Sequence, residues 1–137
     1  MNNKKFRVWD KLEKKFIYPN KGYQGHYILT LDGKFQNLQN GSGGSEYDIQ
    51  QFIGILDSEM KEIYEGDVVE YQWCWFQRKI GEVRYNYDEC AYFIGDYKIG
   101  NLTLDSSKIV GNMKDNYIYD ENGTLVTREE YEKNTHT

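Results

Sequence analysis

Gly66-Asp67-Val68-Val69-Glu70-Tyr71-Gln72-Trp73-Cys74-Trp75-Phe76 is the stretch on which the fold turns. Its side chains are mostly the β-branched and aromatic types that suit a pleated strand, so Val68–Trp75 reads as a strand opened by Gly66-Asp67. Outward from it, Gln77–Lys79 reads as a polar loop. Ile80–Tyr85 is the next strand, with Ile80, Val83 and Tyr85 as burial candidates. Asn86–Glu89 turns the chain into Ala91–Gly95, and Lys98–Leu104 and Ile109–Met113 complete the series. Short strands repeating about every ten residues are the pattern of a small barrel or sandwich. Gly81, Gly95, Gly100 and Gly111 fall in or beside these strands, where a tight barrel has to bend. Val68, Val83, Ile94 and Val110 are the expected core.

The rest of the chain agrees with a β protein. Among 137 residues there is one alanine and one proline, against 13 tyrosines, 6 phenylalanines and 3 tryptophans. A sequence that nearly lacks the best helix former and is rich in β-formers has little reason to build helices. Toward the N-terminus, Lys5–Trp9 and Phe16–Tyr18 flank a polar turn, Asp10–Lys14. His26–Leu31 and Lys34–Leu38 flank Asp32-Gly33, the dipeptide of a two-residue type I′ hairpin. Residues 40–45 (NGSGGS) lack the Lys-Ser/Thr pair and helix pattern of a phosphate-binding loop and read as a hairpin tip. Ile49–Ile55 is a strand ending at Gly54, and Leu56–Glu62 is a turn. Toward the C-terminus, Asn122-Gly123 sits between Tyr117–Tyr119 and Thr124–Val126 as a second hairpin signal. Thr127-Arg128-Glu129-Glu130 fits a capping box that starts a short helix.

Charge and motif content bound the chemistry. The net charge is -5, which opposes general affinity for nucleic acid, since phosphate binding needs clustered Lys and Arg. Residues 1–56 carry 8 basic and 5 acidic side chains, while 57–116 carry 7 and 12, and 117–137 carry 2 and 5. Lysines in the first part read as a solvated hairpin. No stretch is apolar enough for a membrane span, and the N-terminus has no signal-peptide pattern. Cys74 and Cys90, without a CxxC or a second pair, read as reduced, partly buried thiols, so a cytoplasmic location is expected. His26 and His136 have no ligand-spaced partners, and no GxSxG, HExxH or Cys-His arrangement occurs, so no enzyme activity, metal or cofactor is expected. Glu62, Glu65, Asp67 and Glu70 do not converge on a strand. The Asp67 carboxylate is expected to hold the turn beside Gly66 by accepting from a nearby amide or hydroxyl.

The candidate binding residues are Trp73, Trp75, Phe76, Arg78 and Lys79. On a strand, Trp73 and Trp75 share one face and Cys74 and Phe76 the other, and Arg78 and Lys79 follow. An aromatic strand end beside cations is interface chemistry, with core packing as the structural alternative. Aromatic-plus-basic loops also stack on nucleic-acid bases.

Three segments carry a likeness together: Lys5-Phe6-Arg7-Val8-Trp9-Asp10, the run from Gln51-Phe52-Ile53-Gly54-Ile55-Leu56-Asp57 to Lys61-Glu62-Ile63-Tyr64-Glu65-Gly66-Asp67-Val68-Val69, and Ile109-Val110-Gly111-Asn112. In this order they resemble the YopX family of phage and prophage proteins. The likeness extends from residue 5 to about residue 113, and Met113–Asn116 departs from the family's closing Asn-Pro pattern. It implies an SH3-like barrel in the second half and a phage or mobile-element setting in a bacterial host, and it implies no reaction. The resulting expectation is mainly β: a β-hairpin N-terminal region (1–56) packed on a small SH3-like barrel (57–116), then a C-terminal hairpin and helical tail (117–137). Its expected role is a non-enzymatic binding or assembly module that self-associates and engages a phage or host protein. A nucleic-acid-binding small barrel is the alternative, and an uncharacterised enzyme the further one.

Overall fold

The computed structural model describes residues 5–18, 27–38, 46–74, 77–101, 106–114 and 116–135. They are mainly β, with one short helix. The chain divides into two units, residues 1–52 and 53–137.

In the first unit, β1 (Phe6–Asp10) lies between β2 (Lys15–Ile17) and the start of β5 (Tyr47–Leu56), antiparallel to both. Asp10 closes β1, and its Oδ1 accepts the amides of Leu12 and Glu13 at 3.0 and 3.1 Å, which fixes the turn into β2. Val8, Phe35 and Phe52 are buried. Arg7 is buried too. Its guanidinium lies 4.2 Å over the Phe16 ring and donates from Nε to Gln50 Oε1 at 2.9 Å. A separate hairpin pairs β3 (Tyr27–Leu29) with β4 (Phe35–Asn37). Its turn differs from the two-residue form expected from Asp32-Gly33. Thr30 N donates to Lys34 O and Gly33 N to Thr30 O, so the loop is the three residues Leu31-Asp32-Gly33. Gly33 alone of the three takes positive φ, at 84°. A type I′ turn needs positive φ at both central residues, and Asp32 avoids that cost.

The second unit receives the end of β5, which passes through Gly54 without stopping and is neighboured by β6 (Glu62–Tyr64), a strand that starts at the last residue of the expected turn. β7 (Asp67–Cys74), β8 (Gln77–Asn86), β9 (Ala91–Ile94), β10 (Tyr97–Lys98) and β11 (Lys108–Asn112) form an antiparallel sheet ordered β10-β9-β8-β7-β11. That sheet curls into half a barrel. Lys98–Leu104 is not one strand: a 3₁₀ turn, Ile99–Asn101, follows β10, and residues 102–105 lie outside the described set. Gln77–Lys79 is not a loop but the start of β8.

Strand alternation sorts the core. Val69, Tyr71, Val83 and Ile94 are fully buried on one face with Ile63, and Ile53, Ile55 and Ile109 pack against them. Of the four expected core residues, Val83 and Ile94 belong to this cluster. Val68 is fully buried but faces the other side of β7, and Val110 is half-buried at a bulge in β11. Ile80 is 38% exposed, because it is out of phase with Val83.

The second face is covered by the hairpin of β12 (Tyr117–Tyr119) and β13 (Leu125–Thr127). Tyr119 donates its hydroxyl to Glu82, the cross-strand neighbour of Val68, at 3.3 Å. The Tyr117 hydroxyl donates to Val110 O at 3.3 Å. Its ring occupies the space a side chain at Gly111 would fill, so that position has room only for hydrogen. The expected capping box forms. Glu130 N donates to Thr127 Oγ1 at 3.1 Å and Thr127 N to Glu130 Oε2 at 3.4 Å, starting α1 (Arg128–Thr135).

Two buried aspartates tie the strand ends. Asp57 Oδ1 accepts the amides of Glu59 and Lys61, and Oδ2 accepts that of Ile109 at 3.1 Å, joining the β5–β6 turn to β11. Burial would raise its pKa, but the three amide donors outweigh that and hold it below the ordinary aspartate value. Asp67 accepts from Tyr64 N at 2.8 Å and Asn112 Nδ2 at 3.3 Å, the turn-holding role expected of it.

Candidate functional site

β9 ends at Ile94 and reverses over Gly95-Asp96 into β10. Gly95 N donates to Glu82 O at 3.1 Å there. The reversal presses against β8: a Cβ at Gly81 would stand 2.8 Å from Gly95 N. Beyond this point β8 runs on beside β7 toward Gln77. The gap left alongside is a cleft of about 460 Å³, lined by Tyr71, Lys79, Gly81, Tyr97, Tyr119 and Leu125 among others. An adjoining hollow of about 400 Å³ shares Arg84, Gly95 and Asp96 with it and adds Tyr85, Asn86 and Phe93.

The lining combines ring faces with cations. Lys79 Nζ lies 5.0 Å over the Tyr97 ring and 3.2 Å from its hydroxyl. The Arg84 guanidinium lies 5.6 Å over the Tyr119 ring, with its Nε 4.0 Å from the Glu82 carboxylate. The Tyr71 hydroxyl donates to Ile94 O at 3.4 Å, and burial, with Tyr97 and Asp96 nearby, pushes its pKa up to about 12. Burial raises Tyr119, and the Glu82 carboxylate adds to the shift. Glu82 is itself raised by burial, against the lowering effect of Arg84, Tyr119 and Lys114. Phenols held so firmly protonated are hydrogen-bond donors and stacking surfaces, not bases near neutral pH. Among the described residues no three His, Cys, Asp or Glu side chains come together to hold a metal ion.

Of the residues singled out from the sequence, Trp75 and Phe76 lie outside the described residues, as does the side chain of Trp73, whose backbone belongs to β7. Arg78 and Lys79 are consecutive on β8, so they face opposite ways. Lys79 enters the cleft. Arg78 instead donates from Nε to Glu70 Oε1 at 2.5 Å and from a terminal nitrogen to Ser106 O at 2.9 Å. Cys90 is exposed in the β8–β9 turn, where a partly buried thiol was expected, and the side chain of Cys74 is outside the described residues. Sequence reasoning missed Tyr71, Arg84, Tyr97 and Tyr119. The usable signal was Gly81 and Gly95, two glycines whose close approach borders the cleft, and the strand period that puts Tyr71 opposite Lys79.

No curated protein matches the chain significantly. Among solved structures it is similar to a crystal structure of protein EF1440 from Enterococcus faecalis. The identity is 20% and the TM-score 0.53, with 84% of this chain and 96% of that one covered. At that identity the likeness speaks for the fold alone. The family described as YopX protein matches residues 5–122, beyond residue 113 and through β12 into the turn of the C-terminal hairpin. With so much of its length matched, the chain belongs to the YopX family.

Proposed function

We propose that this protein is a non-enzymatic binding module of phage or prophage type, acting in the bacterial cytoplasm and engaging a phage or host protein through the tyrosine-lined cleft. The observation that carries the reading is the concave lining of tyrosine rings with Lys79 and Arg84 laid over two of them. Tyrosine supplies a large amphipathic contact with few rotatable bonds, and tyrosine with arginine concentrates binding energy at interfaces. Self-association through Trp73, Trp75 or Phe76 is part of this reading, because an aromatic strand end is costly to leave in water.

A photo-crosslinking phenylalanine analogue at position 97, with position 87 as the control, tests the cleft in cells. Tyr87 is exposed in the β8–β9 turn. A discrete protein adduct from position 97 alone is expected. The ring-and-cation pairs also fit single-stranded nucleic acid. A nuclease-sensitive adduct favours that second reading, and no adduct from either position removes the cleft as a binding site.

A further inference from the structure

We infer that the cleft takes an extended acidic peptide of a partner protein, which adds as a strand to the open edge of β8. The inference rests on the proposal that the cleft is a binding site and names the form and chemistry of what enters it. Gly95 N donates to Glu82 O, so the main chain of Glu82 faces β9. Peptide groups along a strand alternate sides, so the N–H and C=O of Ile80 face the same way as those of Glu82. β9 ends at Ile94, and among the described residues no strand lies on that side of Arg78–Gly81. On the other side β7 pairs normally, Tyr71 with Lys79 and Gln72 with Arg78. The open edge is about 13 Å long at ~3.3 Å per residue.

Natural edges are commonly guarded by a lysine or another charge standing along them. Here the charges are drawn aside: Lys79 folds onto Tyr97, Arg78 reaches back to Glu70 and Ser106, and Gly81 has no side chain. The bare backbone borders the cleft, which has room for the incoming chain. Main-chain pairing supplies affinity in this mode of recognition, and alternate side chains supply specificity. On one side they would meet Lys79 and Tyr97, on the other Ile80 and Leu125, so alternating acidic and apolar residues complement the site. Residues 53–137 hold 17 acidic and 9 basic side chains. Lys79 and Arg84 stand on the cleft wall with the carboxylate of Asp96, and Glu82 lies beside Arg84. Lys79 is therefore the cation placed to meet an incoming carboxylate, and so little positive charge suits a short carboxylate-bearing segment better than a long polyphosphate.

The test uses the full chain and a capped hexapeptide, Glu-Val-Glu-Val-Glu-Val. The expected result is saturable binding that slows hydrogen exchange at the Ile80 amide, with Lys79 and Gly81, already paired to β7, unchanged. Ile80→Pro removes the outward N–H without touching the β7 ladder and should weaken binding about tenfold or more at unchanged melting temperature. If that variant fails to fold, the same peptide N-methylated at alternate residues decides, and it should not bind. Equal binding of the Lys-Val analogue, full binding of the methylated peptide or no binding at all overturns the inference. Binding that perturbs Tyr97 and Tyr119 but leaves Ile80 exchange unchanged overturns strand addition alone and leaves the cleft as a binding site.

Discussion

Asp57 holds three backbone amides with one carboxylate, two in its own turn and one on β11. Asp57→Ala leaves three part-buried amides without that acceptor and should cost about 1–3 kcal/mol, read from denaturant unfolding. The pH dependence has a definite sign. The folded pKa lies below the unfolded one, so the contribution is whole above about pH 4 and drains away as pH falls toward the folded value. Asp57→Asn should therefore show a shallower loss of stability below that pH than the parent chain. Glu82 acts in the opposite sense: its folded pKa is raised, so its contribution is present at low pH and fades as pH rises through that value. The bond of Asp67 to Tyr64 N was readable in advance because it spans three positions, whereas its contact with Asn112 and the reach of Asp57 to Ile109 cross forty-five and fifty-two positions and leave no local pattern.

At the scale of elements, hairpins and the helix start were legible where the signal is short-range. The Asp120–Thr124 turn repeats the Thr30–Lys34 turn: Asp120 N donates to Thr124 O, Gly123 N to Asp120 O, and Gly123 takes positive φ. The position of each was visible, but the loop length was not, since Asp-Gly and Asn-Gly serve two- and three-residue loops alike. β8 was clipped at Ile80 because polar Gln77-Arg78-Lys79 resembles a loop, though a strand with one solvated side carries such residues readily. β6 was hidden for a different reason: three residues are too few to show a period. The capping box makes a prediction here. Thr127→Ala should cost about 1 kcal/mol and reduce the helical signal of α1, measured by circular dichroism and thermal melting.

The whole molecule was legible as mainly β because composition alone decides it, while the cleft was not, since its walls come from positions 71 to 125. The aromatic run was conspicuous for being contiguous, and the cleft's tyrosines are scattered along the chain. The prediction at this scale concerns mass in solution. Light scattering should show an oligomer. Serine at whichever of Trp73, Trp75 and Phe76 is exposed should weaken association by about 2 kcal/mol or more while the monomer stays folded. A monomer at every concentration tested, or a variant that simply unfolds, would assign those aromatics to the core.

The contact between Gly81 and Gly95 has a consequence for descent. Any side chain at position 81 has to push the β9–β10 reversal aside, so no single step leads from glycine to another residue there with the cleft mouth intact. Keeping the opening requires keeping the glycine. In relatives of this chain, any other residue aligned with Gly81 is therefore a one-letter sign that the cleft mouth has been rebuilt.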